Sequence, residues 1–402
     1  MATDFDIITV GGGLGGAALA GAMAAAGKRV LVVEAETEFR DRVRGEQMTS
    51  WGVADAEALG IRELLLKACA HEAPYWQTYI GPMAIENRDL RETTPQGLAN
   101  MTFYHPAMQE TLLTVAQQKG ATVMRGARAR GVEPGDEPAV VVERDGKSER
   151  YTARLVVGCD GRNSNVRKWS GFEIEQEPDR MQLSGLLMDG VGMPEDTLFV
   201  VLDIEGGTGS IFFPQGDGRV RTYFASRVSD GPRFSGENDV PAYTGRLRAA
   251  APEGGQWFKN AKPAGPLATF NGAEDYVRLP YARGVALIGD AAGTSDPTWG
   301  QGLSLTLRSA RVLRDELLAT DDWNAAGESY ARRQAECFDH IRKCETWFTT
   351  FFYTPGPEAD AIRQRAFPLI AQDGTRIPDT MQSGPEHAPA TEEARRRFFG
   401  ED

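Results

Sequence analysis

The stretch Val10-Gly11-Gly12-Gly13-Leu14-Gly15-Gly16 turns an apolar run (Phe5, Ile7, Ile8, Val10) into an alanine-rich segment that reaches Gly27. This pattern predicts a strand, a tight turn and a helix. Gly11 supplies the turn, Gly13 removes a side chain where a pyrophosphate must approach the backbone, and Gly16 lets the helix pack close to the strand. Leu14 and Gly15 open the helix, expected over Leu14 to Ala26, whose free N–H groups and dipole favour an anion. A second apolar run, Val30 to Val33, ends in Glu34, about twenty residues past the glycines, where this fingerprint places an acid on an adenosine ribose. Two ribose hydroxyls can donate to that carboxylate, and a 2′-phosphate would be repelled. The ligand expected here is FAD or NAD rather than NADP. A glycine triplet alone occurs in many turns that bind nothing; strand, helix, second strand and terminal acid in register carry the reading.

The 402 residues give room for two to three domains, and 41% apolar content suffices for a sizeable core. A net charge of -13 and an isoelectric point near 5.0 argue against nucleic acid or an anionic membrane as partner, since both need a basic patch. Small molecules are favoured. Cys69, Cys159, Cys337 and Cys344 are scattered without a framework, which suits a reducing compartment. The first strand begins almost at once with no basic leader before it, and no run approaches a membrane span, so the expectation is a cytoplasmic protein. His71, His105, His340 and His387 are far apart, and neither Cys-x-x-Cys nor Gly-x-Ser-x-Gly occurs. No metal is expected, and a cofactor must carry the reaction.

After Glu34 comes an arginine-rich link in which Arg40, Arg42 and Arg44 stand near the path of a bound pyrophosphate, although the ordinary reading of any single one of them is a solvated loop. Helices are expected over Ala54 to Ala70 and Pro106 to Lys119. His105, just before the second, suits a phosphate or ribose contact, or a plain cap. Leu155 to Gly161 repeats the opening logic and puts Asp160 at a sheet edge facing a ligand. Strands dominate from Met181 to Ala268, where Phe199, Val201, Phe212 and Phe224 could form one side of a pocket. Val285 to Asp290 is a third strand ending in an acid, followed by a loop to Gly300 and a helix opening at Gly302 and Leu303. A further helix runs from Trp323 to Phe348. Beyond Tyr353 the prolines predict an extended surface tail closed by a short helix, Thr391 to Phe399.

Three elements stand in order: Gly11-x-Gly13-x-x-Gly16, Cys159-Asp160-Gly161-Arg162-Asn163-Ser164, and Gly289-Asp290-Ala291-Ala292 followed by Pro297-Thr298-Trp299-Gly300-Gln301-Gly302-Leu303-Ser304. The set resembles the flavin-dependent aromatic hydroxylases, the single-component FAD monooxygenases similar to para-hydroxybenzoate hydroxylase. The resemblance implies an α/β fold: a discontinuous Rossmann-like FAD-binding domain (1–73, 95–180, 269–320), an inserted, mostly antiparallel β-sheet substrate domain (74–94, 181–268), and C-terminal helices with a tail (321–402). It implies bound FAD along Gly11 to Gly16, its ribose on Glu34 and its ribityl chain or pyrophosphate near Asp290. Asp160 and Gly161 would lie near the pyrophosphate and the nicotinamide route. Arg44 matches the arginine after the second strand, His105 a position touching FAD, and Arg219 a strand arginine facing the flavin.

The implied activity is hydroxylation of an aromatic or similarly flat small molecule through a flavin C4a-hydroperoxide, using O2 and transient NADPH or NADH, in a monomer or homodimer. Gly293 departs from the commoner histidine after Asp-Ala-Ala, which keeps open an FAD-dependent reductase or dehydrogenase, or a halogenase-like enzyme; no Trp-x-Trp-x-Ile-Pro segment supports a halogenase proper. Independently of the resemblance, N–H groups near Gly302 and Leu303, at the positive end of a helix, could meet the negative N1/O2 edge of reduced flavin. Pro297 and Trp299 would flank the ring and limit water.

Overall fold

In the computed structural model, which describes residues 3–402, strand Phe5–Val10 lies between Val30–Glu34 and Lys147–Gly158, all parallel. The sheet extends through Thr122–Arg125 beyond the first neighbour, and through Val285–Leu287 and the antiparallel Tyr281–Ala282 beyond the second. Both of its faces are covered, which is why Ile7-Ile8 and Val30 to Val33 are unbroken apolar runs. Helices Leu14–Ala25, His105–Gln118 and Gly302–Ala319 pack on the face presented by Ile7, Val30 and Val32. Ile8, Leu31 and Val33 face a meander, Arg128–Glu133 and Ala139–Arg144, that continues into Lys147–Gly158. The chain leaves Phe5–Val10 toward one neighbour, and its other neighbour arrives from far along the sequence. The carboxyl end of this strand is therefore the switch point where open α/β sheets bind ligands.

A second sheet joins stretches distant in sequence. Its order is Lys262–Pro263, Met181–Asp189, Val220–Arg227, Thr208–Pro214, Thr197–Asp203, Tyr75–Ile80, Met83–Asp89, with Ala268–Asn271 also on Met181–Asp189. Neighbours run antiparallel along this path except Thr197–Asp203 with Tyr75–Ile80, which are parallel. Helix Val240–Ala250 and the Trp257-Phe258 turn cover one face. Phe199, Val201, Phe212 and Phe224 all point into that covered face, so the expectation that they wall a pocket is overturned. A strand's side chains alternate, and the residues that wall the cavity described below are one position away: Val200, Leu202, Ile211, Phe213 and Tyr223.

Two helical expectations also change. The Ala54 to Ala70 segment is two helices, Ser50–Ala58 and Arg62–Ala68, broken at Gly60, whose φ is +70°. The region beyond Tyr353 is no extended surface tail. After helix Trp323–Phe352 it forms Pro357–Gln372, Thr380–Ser383 and Glu392–Phe399. Pro357 starts its helix, where a missing N–H does no harm. Phe398 and Phe399 anchor the end of the chain against Phe348 and Phe351. No helix among the described residues is long and apolar enough to cross a membrane.

Candidate cofactor and substrate site

Gly11 adopts φ +107° and donates its N–H to the Val33 carbonyl at 2.8 Å, which folds the chain back over the sheet. Side chains would not fit along most of this turn. A Cβ on Gly11 would collide with the Cys159 carbonyl, one on Gly16 with the Gly11 carbonyl, and one on Gly15 would press on Thr306 at 2.9 Å. Gly13 differs, because a Cβ there would meet only the Gln109 amide at 3.4 Å; the space before it is open. The helix beginning at Leu14 has no side-chain cap and no acid in its first turn, so its N–H groups are free for an anion.

Glu34 is 7% exposed and accepts the Gly12 N–H at 2.6 Å and the Glu36 N–H at 2.7 Å, one on each oxygen. Each carboxylate oxygen keeps a lone pair for a further donor. Asp290 lines the same cavity and its carboxylate takes no hydrogen bond among the described residues. Burial raises its pKa, against the pull of Arg162 and Arg44. His105 is buried, with Nδ1 against the Gly45 carbonyl at 2.8 Å; burial drives its pKa down to about 4. It is thus a neutral imidazole with Nδ1 donating, which leaves Nε2 an acceptor.

Asp160 does not reach the cavity wall. Its carboxylate accepts the Ser164 hydroxyl at 2.5 Å and the Asn165 and Val166 N–H groups at 2.7 and 3.1 Å, serving the start of helix Asn165–Trp169. Gly161, Arg162 and Asn163 line the cavity in its place. Arg219 is likewise elsewhere: it sits in the turn before Val220–Arg227, paired with Asp189 at 2.8 Å and absent from the cavity lining.

The strand arginine that matters is Arg221, which is fully buried. It holds Glu46 through Nε at 2.7 Å and Nη2 at 3.1 Å, and Asp41 through Nη2 at 2.7 Å. Glu46 also accepts the His105 N–H at 3.0 Å and the Gln215 amide at 2.5 Å. This cluster ties the second sheet to the loop that bears Arg44. In that loop Val43 has φ +52°, strained for a β-branched residue. It is held by its N–H to Asp41 at 2.8 Å and by its buried side chain, which lies against Gly185, where a Cβ would not fit. Arg42 and Arg44 on either side line the cavity.

Helix Gly302–Ala319 begins without a side-chain cap or an acid in its first turn, and Gly302 and Leu303 face the cavity. A Cβ on Gly302 would find nothing nearer than the Ser295 hydroxyl at 4.0 Å. Pro297 lines the wall beside them, and Trp299 packs on Phe348, Phe352 and Tyr353.

The cavity measures about 1590 Å³ and runs from the glycine turn to an apolar chamber. One wall of that chamber is the second sheet. The other is Phe348, Phe351 and Phe352, then Phe367, Ile370, Ile377 and Met381 from beyond the long helix. This cover is tied down by Arg88 to Asp379, two bonds at 2.9 Å, and by donation from Trp51 Nε1 to the Met381 carbonyl at 3.1 Å and from Gln96 to the Ser383 carbonyl at 2.9 Å.

Residues 4–346 match the FAD binding domain family. The chain belongs to that family. It is an FAD-dependent monooxygenase, and the relatives similar over most of its length include two monooxygenases. A rifampicin monooxygenase of Streptomyces venezuelae is 30% identical over 88% of this chain and 73% of its own length. A 6-methylpretetramide 4-monooxygenase of Streptomyces rimosus is 26% identical over 91% of this chain and 89% of its own. The crystal structure of p-nitrophenol 4-monooxygenase PnpA from Pseudomonas putida DLL-E4 shares the fold, with a TM-score of 0.78 at 18% identity, covering 93% of this chain and 95% of that one. The residues of this monooxygenase fit an FAD: an open cradle at Gly13, an acceptor with spare lone pairs at Glu34, and an uncapped helix start at Gly302.

Proposed function

We propose that this enzyme hydroxylates a large, flat, mostly apolar aromatic molecule, using dioxygen and either NADH or NADPH as a transient reductant. The observation that carries this reading is the continuity of the glycine cradle with the apolar chamber. Ligand pockets usually span roughly 300–1000 Å³, so a cavity of about 1590 Å³ has room for cofactor and substrate together. FAD, when bound, supplies the oxygen-activating chemistry. The chain's own residues do the rest. Gly11 to Gly16 and the Leu14 helix start hold the pyrophosphate, Glu34 takes the ribose hydroxyls, and Asp290 accepts from the ribityl chain. N–H groups of Gly302 and Leu303 stabilise negative charge on the reduced ring. Pro297, Trp299 and the phenylalanines behind them exclude water.

The one glycine fingerprint belongs to FAD, so the nicotinamide nucleotide binds in passing, with the exposed Arg44 at the cavity to guide its phosphates. An enzyme of this design wastes reducing power if reduced without substrate. Anaerobic stopped-flow should therefore show flavin bleaching by NAD(P)H at least about tenfold faster with the right aromatic compound, a barrier difference of about 1.4 kcal/mol. The deciding assay is nucleotide oxidation by the yellow protein across phenols, anilines and polycyclic aromatics, with label from ¹⁸O₂ traced into product. Unlabelled product, or oxygen-independent reduction of a substrate double bond, would refute hydroxylation.

A further inference from the structure

We propose that Glu345 is a positioning residue for the flavin reaction: from helix Trp323–Phe352 it clamps both ends of the loop Asp296 to Gln301, and so aims the Gly302 helix start at the cavity. One of its oxygens accepts the Asp296 N–H at 3.2 Å and the other the Gln301 side-chain amide at 2.9 Å. Between those anchors lie Pro297 and Trp299, and immediately after them the free N–H groups of Gly302 and Leu303. Glu345 and Gln301 are both fully buried, and burying a carboxyl group is costly unless its bonds are needed.

The state of the acid fits the task. Glu274 and Asp296 stand beside Glu345, and of these three acids Arg342 pairs with Glu274 alone, Nε to Oε2 at 3.6 Å, while its Nη2 holds Glu177 at 2.6 Å. Burial first, then those two neighbouring carboxylates, push the Glu345 pKa well up, while burial raises Glu274 to about 7 and Asp296 to about 6. A neutral Glu345 holds the loop without placing a negative charge behind the helix end that must favour negative charge on the reduced ring. An ionised one would oppose it. A glutamine would be neutral too, and would retain one of the two acceptor positions.

The inference rests on the reading that the flavin ring faces residues 297–302, and the test separates the two. Holoenzymes of wild type, Glu345→Ala, Glu345→Gln and Gln301→Leu are compared by FAD content and by the two-electron midpoint potential. Glu345→Ala should lose about tenfold in its preference for reduced over oxidised FAD, a fall of about 30 mV. Glu345→Gln should lose less than half of that. Gln301→Leu should shift the same way by at least about threefold, and the double variant Glu345→Ala/Gln301→Leu should shift no further than Glu345→Ala, since both cut the same link. If Glu345→Ala does not fold, Gln301→Leu decides alone. Unshifted potentials in variants with full FAD content, or equal shifts for alanine and glutamine, would overturn the clamp while hydroxylation by the wild type stands. A wild type that takes up no FAD would overturn both.

Discussion

Replacing Glu34 by alanine removes the acceptor assigned to the adenosine ribose, and its consequence can be sized from the structure. The carboxylate already takes one N–H on each oxygen, from Gly12 at 2.6 Å and Glu36 at 2.7 Å. In the proposed complex the ribose hydroxyls would add bonds on the remaining lone pairs. A hydrogen bond to a charged group contributes about 1.5–3 kcal/mol, and each 1.4 kcal/mol is about tenfold in affinity. The Kd for FAD should therefore rise about tenfold if one ribose bond is lost and roughly a hundredfold if the loss is at the upper end. The two N–H groups left behind also lose their partner, which lowers the stability of the apoprotein itself by about 1–3 kcal/mol. Both quantities must be read. Apoprotein titrated with FAD, followed by quenching of flavin fluorescence, gives the first; urea unfolding without FAD gives the second. A folded Glu34→Ala variant whose Kd stays within about threefold of wild type would refute the assignment of Glu34 to the ribose.

A Cβ at Gly13 or Gly302 meets almost no protein atoms, at 3.4 Å from the Gln109 amide and 4.0 Å from the Ser295 hydroxyl; the Gly13→Val and Gly302→Val apoproteins should each melt close to wild type yet bind FAD at least about tenfold more weakly, and normal FAD content with normal turnover would count against the cradle. Arg221→Met leaves Glu46 and Asp41 buried without their counter-charge, and equilibrium unfolding should show a loss of about 3–5 kcal/mol. His105 has its pKa lowered to about 4 from 6.5, chiefly by burial. Between those values the folded chain binds fewer protons than the unfolded one, so this contribution is complete above about pH 6.5 and is lost on acidification toward 4. Wild type should lose about 2 kcal/mol more than His105→Asn between pH 7.5 and pH 5, and parallel pH profiles for the two would contradict the neutral imidazole.

The opening strand, helix and second strand were legible because their determinants are local: apolar runs buried on both faces, glycines where carbonyls leave no room, and an acid at the strand end. The Gly302 helix start was legible for the same reason. Arg221 was not. Arg219 and Arg221 share strand parity, and only the point where the strand begins, at Val220, separates a surface pair from a buried one. Asp160 carried two signals, a strand end and a nearby helix start, and the helix start took the carboxylate. In the second sheet alternation shows that two faces exist, but which one meets the cavity depends on the helix that covers the other. Beyond Tyr353 only the closing helix at Thr391 was legible, because a proline ends some structures and begins others, while the packing of Phe398 and Phe399 depends on partners some fifty residues earlier.

The family match stops at residue 346, and the chamber's aromatic cover begins at Phe348 and continues to Arg397. The residues assigned to the cofactor and the outer wall of the chamber thus lie in consecutive segments that meet inside helix Trp323–Phe352. The molecule is modular along its sequence in a way its fused cavity hides. Grafting another family member's terminal segment onto residues 1–346 should alter which molecules fit while leaving cofactor affinity in place. Shortening that segment should flood the chamber and divert reducing equivalents to hydrogen peroxide.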